Sequence, residues 1–279
     1  MAPQPFDGRS AEDIRAHYDV ERELADRLRH ATRAERSVLY TTVYEELFAR
    51  VPSHSQLTRK TSPEQTQKAV QSQMTLLGRF LTPSTTLLEI GAGDCALSLA
   101  ATGRVSMVYA LDVSPTISRP QAPPPNFRLL LSDGINIPLT DHSVTVAYSN
   151  QLMEHLHPED AAAQVREVHR VLAPGGVYLC VTPHRMSGPH DISRRFDRVA
   201  TGFHLKEYTP MELTKLFRMA GFSRVVAYLG GRGRFVALPP SLLHSLELPF
   251  ASLPHSIRVT IARRTPFGFL RSIWMAAYK

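Results

Sequence analysis

Chemistry first shows at Glu89-Ile90-Gly91-Ala92-Gly93-Asp94, where an apolar run ends in an acid and meets a glycine turn. Glycine takes backbone angles closed to other residues and lets a ligand lie against the main chain. The helical pattern that follows, Ala96 to Ala100, offers free N–H groups at its start to a polar or anionic ligand. Three later stretches place polar groups after apolar runs: Asp112 with Val113, Asp133 with Gly134, and Asn150 with Gln151. Alone, Asp112 or Asp133 would be an ordinary turn former. At successive strand ends on one edge of a sheet they read as one site. Proton transfer near neutral pH falls most naturally to histidine. His155 comes just after Asn150-Gln151, and His184, His190 and His204 mark a long loop rich in Arg and Asp. These four are the candidate bases. The structural alternative is that His155 positions its own loop and the others belong to a salt-bridged surface. The histidines are scattered, without a His-x-x-x-His or cysteine-rich spacing, so no metal centre is expected.

The elements that must hold these residues alternate. Strand patterns end at Ile90, at Leu111 before Asp112, at Leu131, at Tyr148 and at Thr182, with a sixth over 222–229 and a terminal one over 270–278. Amphipathic helices lie at Asp160–Leu172 and Thr209–Ala220, the first closed by Pro174-Gly175-Gly176. Five prolines between Ser114 and Pro125 make that crossover short or irregular. The fold class is therefore α/β, a doubly wound, mostly parallel, seven-stranded sheet. Residues 1–82 form an N-terminal helical cap, frayed over its first ten residues, with helices over 11–50 and 63–80. Residues 83–279 form the ligand-binding domain, with a proline-broken insertion at about 238–268. The cap either packs on the core or serves as a lid.

Six ordered segments carry a family resemblance. They are Leu88 to Gly93, Ala110 to Ser114, Ser132-Asp133-Gly134, Ile137 to Val144, Asn150 to Leu156, and Val171 to Gly176. Together they resemble the class I S-adenosylmethionine-dependent methyltransferases of the small-molecule type, over roughly residues 65–230 and the last strand. The resemblance implies a Rossmann-like domain and S-adenosyl-L-methionine as cofactor. It implies that Glu89, Gly91, Ala92 and Gly93 hold the amino-acid end of that cofactor, Glu89 largely through its network. Asp112 would accept from the ribose hydroxyls, Val113 would pack on the adenine, and Asp133 would accept from the adenine amino group. Gly134 would leave room for the ring, and Asn150 and Gln151 would face the methionine part. One departure stands out: Cys95 occupies the place where the family often has a third glycine. A dinucleotide, which needs the closest backbone approach, suits this loop less well.

The bulk numbers narrow the partners. A net charge of +7 is spread among interleaved acids, with no block of Lys or Arg, so an anionic partner is only weakly indicated. Nucleic acid is disfavoured because Asn150-Gln151-Leu152-Met153 stands where a base-holding aromatic motif would be needed. A small-molecule or glycan acceptor, methylated at oxygen, is the leading expectation. A nucleic-acid methyltransferase, an NAD-dependent oxidoreductase and a non-catalytic cofactor-binding subunit are the alternatives. The two cysteines, Cys95 and Cys180, are expected as buried free thiols. With no secretory signal and no bilayer-spanning apolar run, the expected location is cytoplasmic. Apolar residues over 238–253 followed by Arg258, Arg263, Arg264 and Arg271 suggest a peripheral membrane contact, against the alternative of packing on the sheet.

Overall fold

Capping chemistry sets the first helix starts. Ser10 and Thr32 each accept the backbone N–H three residues on, and Asp13 and Glu35 reach back to the cap backbone. These boxes open α1 (Ala11–His30) and α2 (Arg33–Arg50). The helical stretch over 11–50 is thus two helices, because Ala31 turns extended ahead of the Thr32 cap. The computed structural model describes residues 8–54, 62–114, 120, 122–231, 234–264 and 270–279. Parts of the expected frayed start, of the proline-rich crossover and of the insertion lie outside the described residues.

The chain continues through α3 (Pro63–Leu77), β1 (Thr86–Ile90), α4 (Ala96–Ala101), β2 (Met107–Asp112), β3 (Phe127–Leu131) and β4 (Val144–Asn150). Then come α5 (Pro158–Val171), β5 (Leu172–Pro183), α6 (Pro210–Met219), β6 (Arg224–Gly231) and β7 (Arg234–Leu238). The last elements are α7 (Pro240–Ala251), α8 (His255–Arg264) and β8 (Ser272–Tyr278). Among the described residues the sheet has eight strands in the order β3-β2-β1-β4-β5-β8-β6-β7. Strands β1 to β5 pair in parallel, and β8 inserts antiparallel between β5 and β6. All seven expected strands are present. The eighth, β7, folds back antiparallel on β6. It is a largely exposed edge strand, so its sequence carries little of the alternation that marks a half-buried one. The insertion, expected to be irregular, forms α7 and α8, with Pro249 accommodated inside α7.

Strand β1 lies between β2 and β4, and the chain runs outward from it in both directions. This is the switch point at which the carboxyl ends of the strands open a crevice. Alternate strand residues feed two apolar layers. Leu88, Ile90 and Leu111 join Leu24, Leu28, Tyr40, Val43 and Leu47 of α1 and α2 in one cluster. On the other face Leu87, Val108 and Val146 pack with Leu77, Leu97 and Ala101. The N-terminal helices therefore share the core of the sheet and reach over its crevice.

Candidate active site

The loop after β1 is held down by two backbone bonds, Gly91 N and Ala92 N to the Leu111 carbonyl at 2.8 and 3.1 Å. Gly93 follows with φ +53°, and nothing lies within 4 Å of where its Cβ would be. Its open side is the room a ligand needs to approach the main chain. Cys95, the family departure, takes the left-handed region at φ 60°, ψ 13° and caps α4. That conformation costs an ordinary residue about 1–2 kcal/mol. Cys95 is fully buried, and burial pushes its thiol up to about 12, so it is neutral and unreactive. Cys180 is likewise buried and free.

Asp112 closes β2 with its carboxylate already oriented. Oδ2 accepts Gly93 N at 2.7 Å, and Oδ1 accepts Val113 N at 2.8 Å and Ser114 N at 3.0 Å. A carboxylate has about four acceptor positions, so one remains for a ligand hydroxyl. Asp133 is placed differently. Its Oδ1 accepts Ile135 N and Asn136 N at 2.9 and 2.8 Å, which makes it the cap of its own turn and leaves it outside the cavity lining. Gly134 does line the cavity, at φ +89°, and a Cβ there would stand 2.9 Å from the Tyr40 ring.

A residue absent from the sequence reading sits beside it. Gln164 of α5 donates Nε2 to the Gly134 carbonyl at 2.7 Å, which fixes its amide orientation. Its Oε1 is buried with no partner and the side chain lines the cavity. The available signal was a polar residue interrupting the buried face formed by Ala161, Val165 and Val168.

The cavity over β1 and β4 measures about 560 Å³, within the range of small-molecule sites. Its lining includes the glycine loop, Asp112 and Gln164, and an aromatic group in which the Tyr44 ring stands 6.3 Å from Phe48, 6.2 Å from His155 and 5.1 Å from Phe203. Gln151 lines it with φ +55°, while Asn150, one residue earlier, does not. Glu89 lies beneath the loop. Burial pushes its carboxyl up to about 8, opposed by the Ser98 hydroxyl that donates to Oε2 at 2.5 Å.

The four candidate bases separate. His155 alone among them lines the cavity; its Nδ1 bonds the Phe203 carbonyl at 3.1 Å, and burial drives the ring down to about 3, so it is neutral. His184 is fully buried away from the cavity, its Nε2 on Glu247 Oε1 at 2.9 Å, tying α7 to the end of β5. His190 bonds the His184 carbonyl through Nε2 at 3.0 Å. His204 pairs through Nδ1 with Glu207 Oε1 at 2.7 Å; although burial opposes its charge, Glu207, Glu154 and Asp191 together hold its pKa above the ordinary value. The loop over 183–203 is therefore a set of internal ties, with Phe203 its contribution to the cavity.

A family model described as a methyltransferase domain matches residues 88–180. A Mycolicibacterium smegmatis protein described as a probable S-adenosylmethionine-dependent methyltransferase is 34% identical over 137 residues, 49% of this chain and 51% of that protein. Residues 88–180 thus carry a methyltransferase domain of the S-adenosylmethionine-dependent type. A 2-phytyl-1,4-naphtoquinone methyltransferase of Nostoc punctiforme is 31% identical over 107 residues, 36% of this chain and 46% of that protein. The chain spans about half the length of these relatives. In fold, the methyltransferase domain is similar to a solved S-adenosylmethionine-dependent methyltransferase of Archaeoglobus fulgidus, at TM-score 0.52, 15% identity, 76% of this chain and 94% of that one.

S-adenosylmethionine is the cofactor of this domain type, and the residues present fit it. Open space beside Gly93 accommodates its approach to the backbone, and the Asp112 carboxylate keeps an acceptor position for a ribose hydroxyl. The unpartnered Oε1 of Gln164 is a ready acceptor for an amino group. When bound, the cofactor supplies a methyl group on a sulfonium, a leaving group already activated. What the methyltransferase domain must do is orient an acceptor, exclude water and accept a proton if that acceptor is a hydroxyl.

Proposed function

We propose that the protein transfers a methyl group from S-adenosylmethionine to a small-molecule or glycan acceptor, at an oxygen atom. The observation that carries this reading is that one cavity is lined both by polar backbone and carboxylate groups and by an aromatic group. Backbone, Asp112 and Gln164 suit an adenosine, and Tyr44, Phe48, Phe203 and His155 supply an aromatic wall to the same cavity, whose size suits small molecules. The name of the Nostoc punctiforme relative, a quinone-type methyltransferase, supports a small acceptor. His155 lines the same cavity, which supports a role for it beside the acceptor. Its low pKa keeps the lone pair available at neutral pH but makes it a weak base, so orientation carries most of the rate.

Calorimetric titration with S-adenosylmethionine, its demethylated product and NAD tests the reading. The sulfonium pair should bind in the micromolar range, and Asp112→Ala should weaken it by roughly tenfold to a hundredfold. Preference for NAD would favour an oxidoreductase. Steeply salt-dependent oligonucleotide binding would favour a nucleic-acid methyltransferase. Cofactor binding without turnover on any acceptor would favour a binding subunit.

The same reading extends to the surface. Leu242, Leu246 and Leu248 of α7 and Ile257 of α8 are exposed apolar residues, and Arg264 and Arg271 are exposed in the same part of the chain. We infer a peripheral contact with an anionic bilayer. No helix among the described residues is long and apolar enough to cross a membrane. Cosedimentation with anionic vesicles at low salt should retain the protein, and absence of binding overturns the contact.

A further inference from the structure

Folding gathers two sets of histidines and carboxylates that are far apart in sequence. Their possible ligand atoms lie within 4.8 Å of one another in each set: His17, Glu21 and His54, and Glu154, His155 and His204. The first set is internally occupied. His17 Nε2 donates to Glu21 Oε2 at 2.8 Å, its Nδ1 accepts from Arg9 at 2.9 Å, and Glu21 Oε1 accepts Phe203 N at 2.9 Å. A cation there would displace the hydrogen bonds of His17 and Glu21 and meet the Arg9 guanidinium.

The second set is arranged otherwise. Glu154 is fully buried; its Oε2 accepts the Thr182 hydroxyl at 2.9 Å, and its Oε1 has no partner. A buried carboxylate oxygen left unpaired is costly, and a bound cation removes that cost. The two imidazoles present matching edges. His155 donates Nδ1–H to the Phe203 carbonyl at 3.1 Å, and His204 directs Nδ1 to Glu207 Oε1 at 2.7 Å. His155, neutral, is thereby left with its lone pair on Nε2, and His204, whose carboxylate neighbours favour its charged form, offers Nε2 once a cation displaces that proton. Metal-binding histidines characteristically anchor the other ring nitrogen on a carbonyl or a carboxylate. Here one ring has each kind of anchor.

We propose that Glu154, His155 and His204 bind one divalent transition-metal cation of the zinc, iron(II) or cobalt(II) class. Two imidazoles and one carboxylate suit these ions, whereas magnesium and calcium prefer oxygen sets. Bonds of about 2.1 Å allow ligand atoms up to about 4.2 Å apart, so small turns of the three side chains close the site. His155 belongs to both the triad and the cavity wall. An ion held there would acidify an acceptor hydroxyl that reached it, the task for which His155 alone is weak. That consequence rests on the methyl-transfer reading; the site itself does not.

Equilibrium dialysis of the chelator-stripped full chain against micromolar Zn2+ or Co2+, with elemental analysis, tests the site without any turnover. About one ion per chain is expected, with affinity lowered roughly tenfold or more in Glu154→Gln and in His204→Ala. The His17→Ala variant should keep its ion. Absence of stoichiometric binding by a wild-type chain with native circular dichroism overturns the proposal. So does undiminished binding by both triad variants, or loss of the ion in a folded His17→Ala chain. The wild-type measurement stands even if a variant fails to fold, and cofactor affinity measured beside it separates this site from the methyl-transfer reading.

Discussion

Arg36 of α2 grips Asp160 of α5 through two hydrogen bonds, Nε to Oδ2 at 2.5 Å and Nη2 to Oδ1 at 2.9 Å, with both side chains buried. The same carboxylate accepts the Tyr40 hydroxyl at 2.9 Å, and the Tyr40 ring lies against Gly134. One ion pair thus fixes the helix that roofs the cavity. Removing a single partner strands a buried charge, so Asp160→Ala should cost about 3–5 kcal/mol in urea unfolding. Replacing both partners, as Arg36→Met with Asp160→Leu, should recover most of that loss. Equal destabilisation by the single and the double change would show that the pair does not hold the roof.

The contact between Tyr40 and Gly134 predicts a non-additive pair. Gly134→Ala places a Cβ 2.9 Å from the ring at φ +89°, adding a clash to backbone strain. A loss of about 2–3 kcal/mol is expected, together with weaker cofactor binding as the ring is displaced. In a Tyr40→Ala background the clash disappears, and only about 1–2 kcal/mol of strain should remain. Thermal unfolding of the four proteins measures the difference.

Gln164 and Asp133 compete for one role, acceptance of the adenine amino group. Asp133 is engaged by its own turn, whereas Gln164 Oε1 has no partner. Gln164→Leu should weaken S-adenosylmethionine roughly fivefold to tenfold, about 1 kcal/mol. Asp133→Asn keeps a turn-capping oxygen and should leave affinity within about twofold. Calorimetry that gave the reverse order would assign the amino group to Asp133.

Glu89 predicts a fall in stability with rising pH. Its folded pKa of about 8 lies above the ordinary 4.5, so between these values the folded state holds a proton that the unfolded chain has released. The stabilisation is complete below about pH 4.5 and disappears as pH rises through 8, on the order of 5 kcal/mol. Glu89→Gln retains an acceptor for the Ser98 hydroxyl and removes the titration. The difference in unfolding free energy between wild type and variant should therefore shift in the variant's favour from pH 5 to pH 8. A pH-independent difference would rule the effect out.

Sequence alone determined the glycine loop, the strand ends that carry Asp112 and Gly134, and the α/β order. These rest on local requirements: backbone angles, side-chain periodicity and turn chemistry act over a few residues. Strand β7 escaped because an exposed edge makes little demand on composition. The four histidines show why the rest was hidden. They begin with the same intrinsic chemistry, yet burial drives His155 down to about 3 while Glu207, Glu154 and Asp191 raise His204. Glu154 and His155 meet His204 only because the 183–203 loop folds back onto the end of β4, and Gln164 faces the cavity only because α5 packs there. Desolvation and charge pairing depend on neighbours distant in the chain, so tertiary structure alone decided which polar groups face the cavity and which hold the fold.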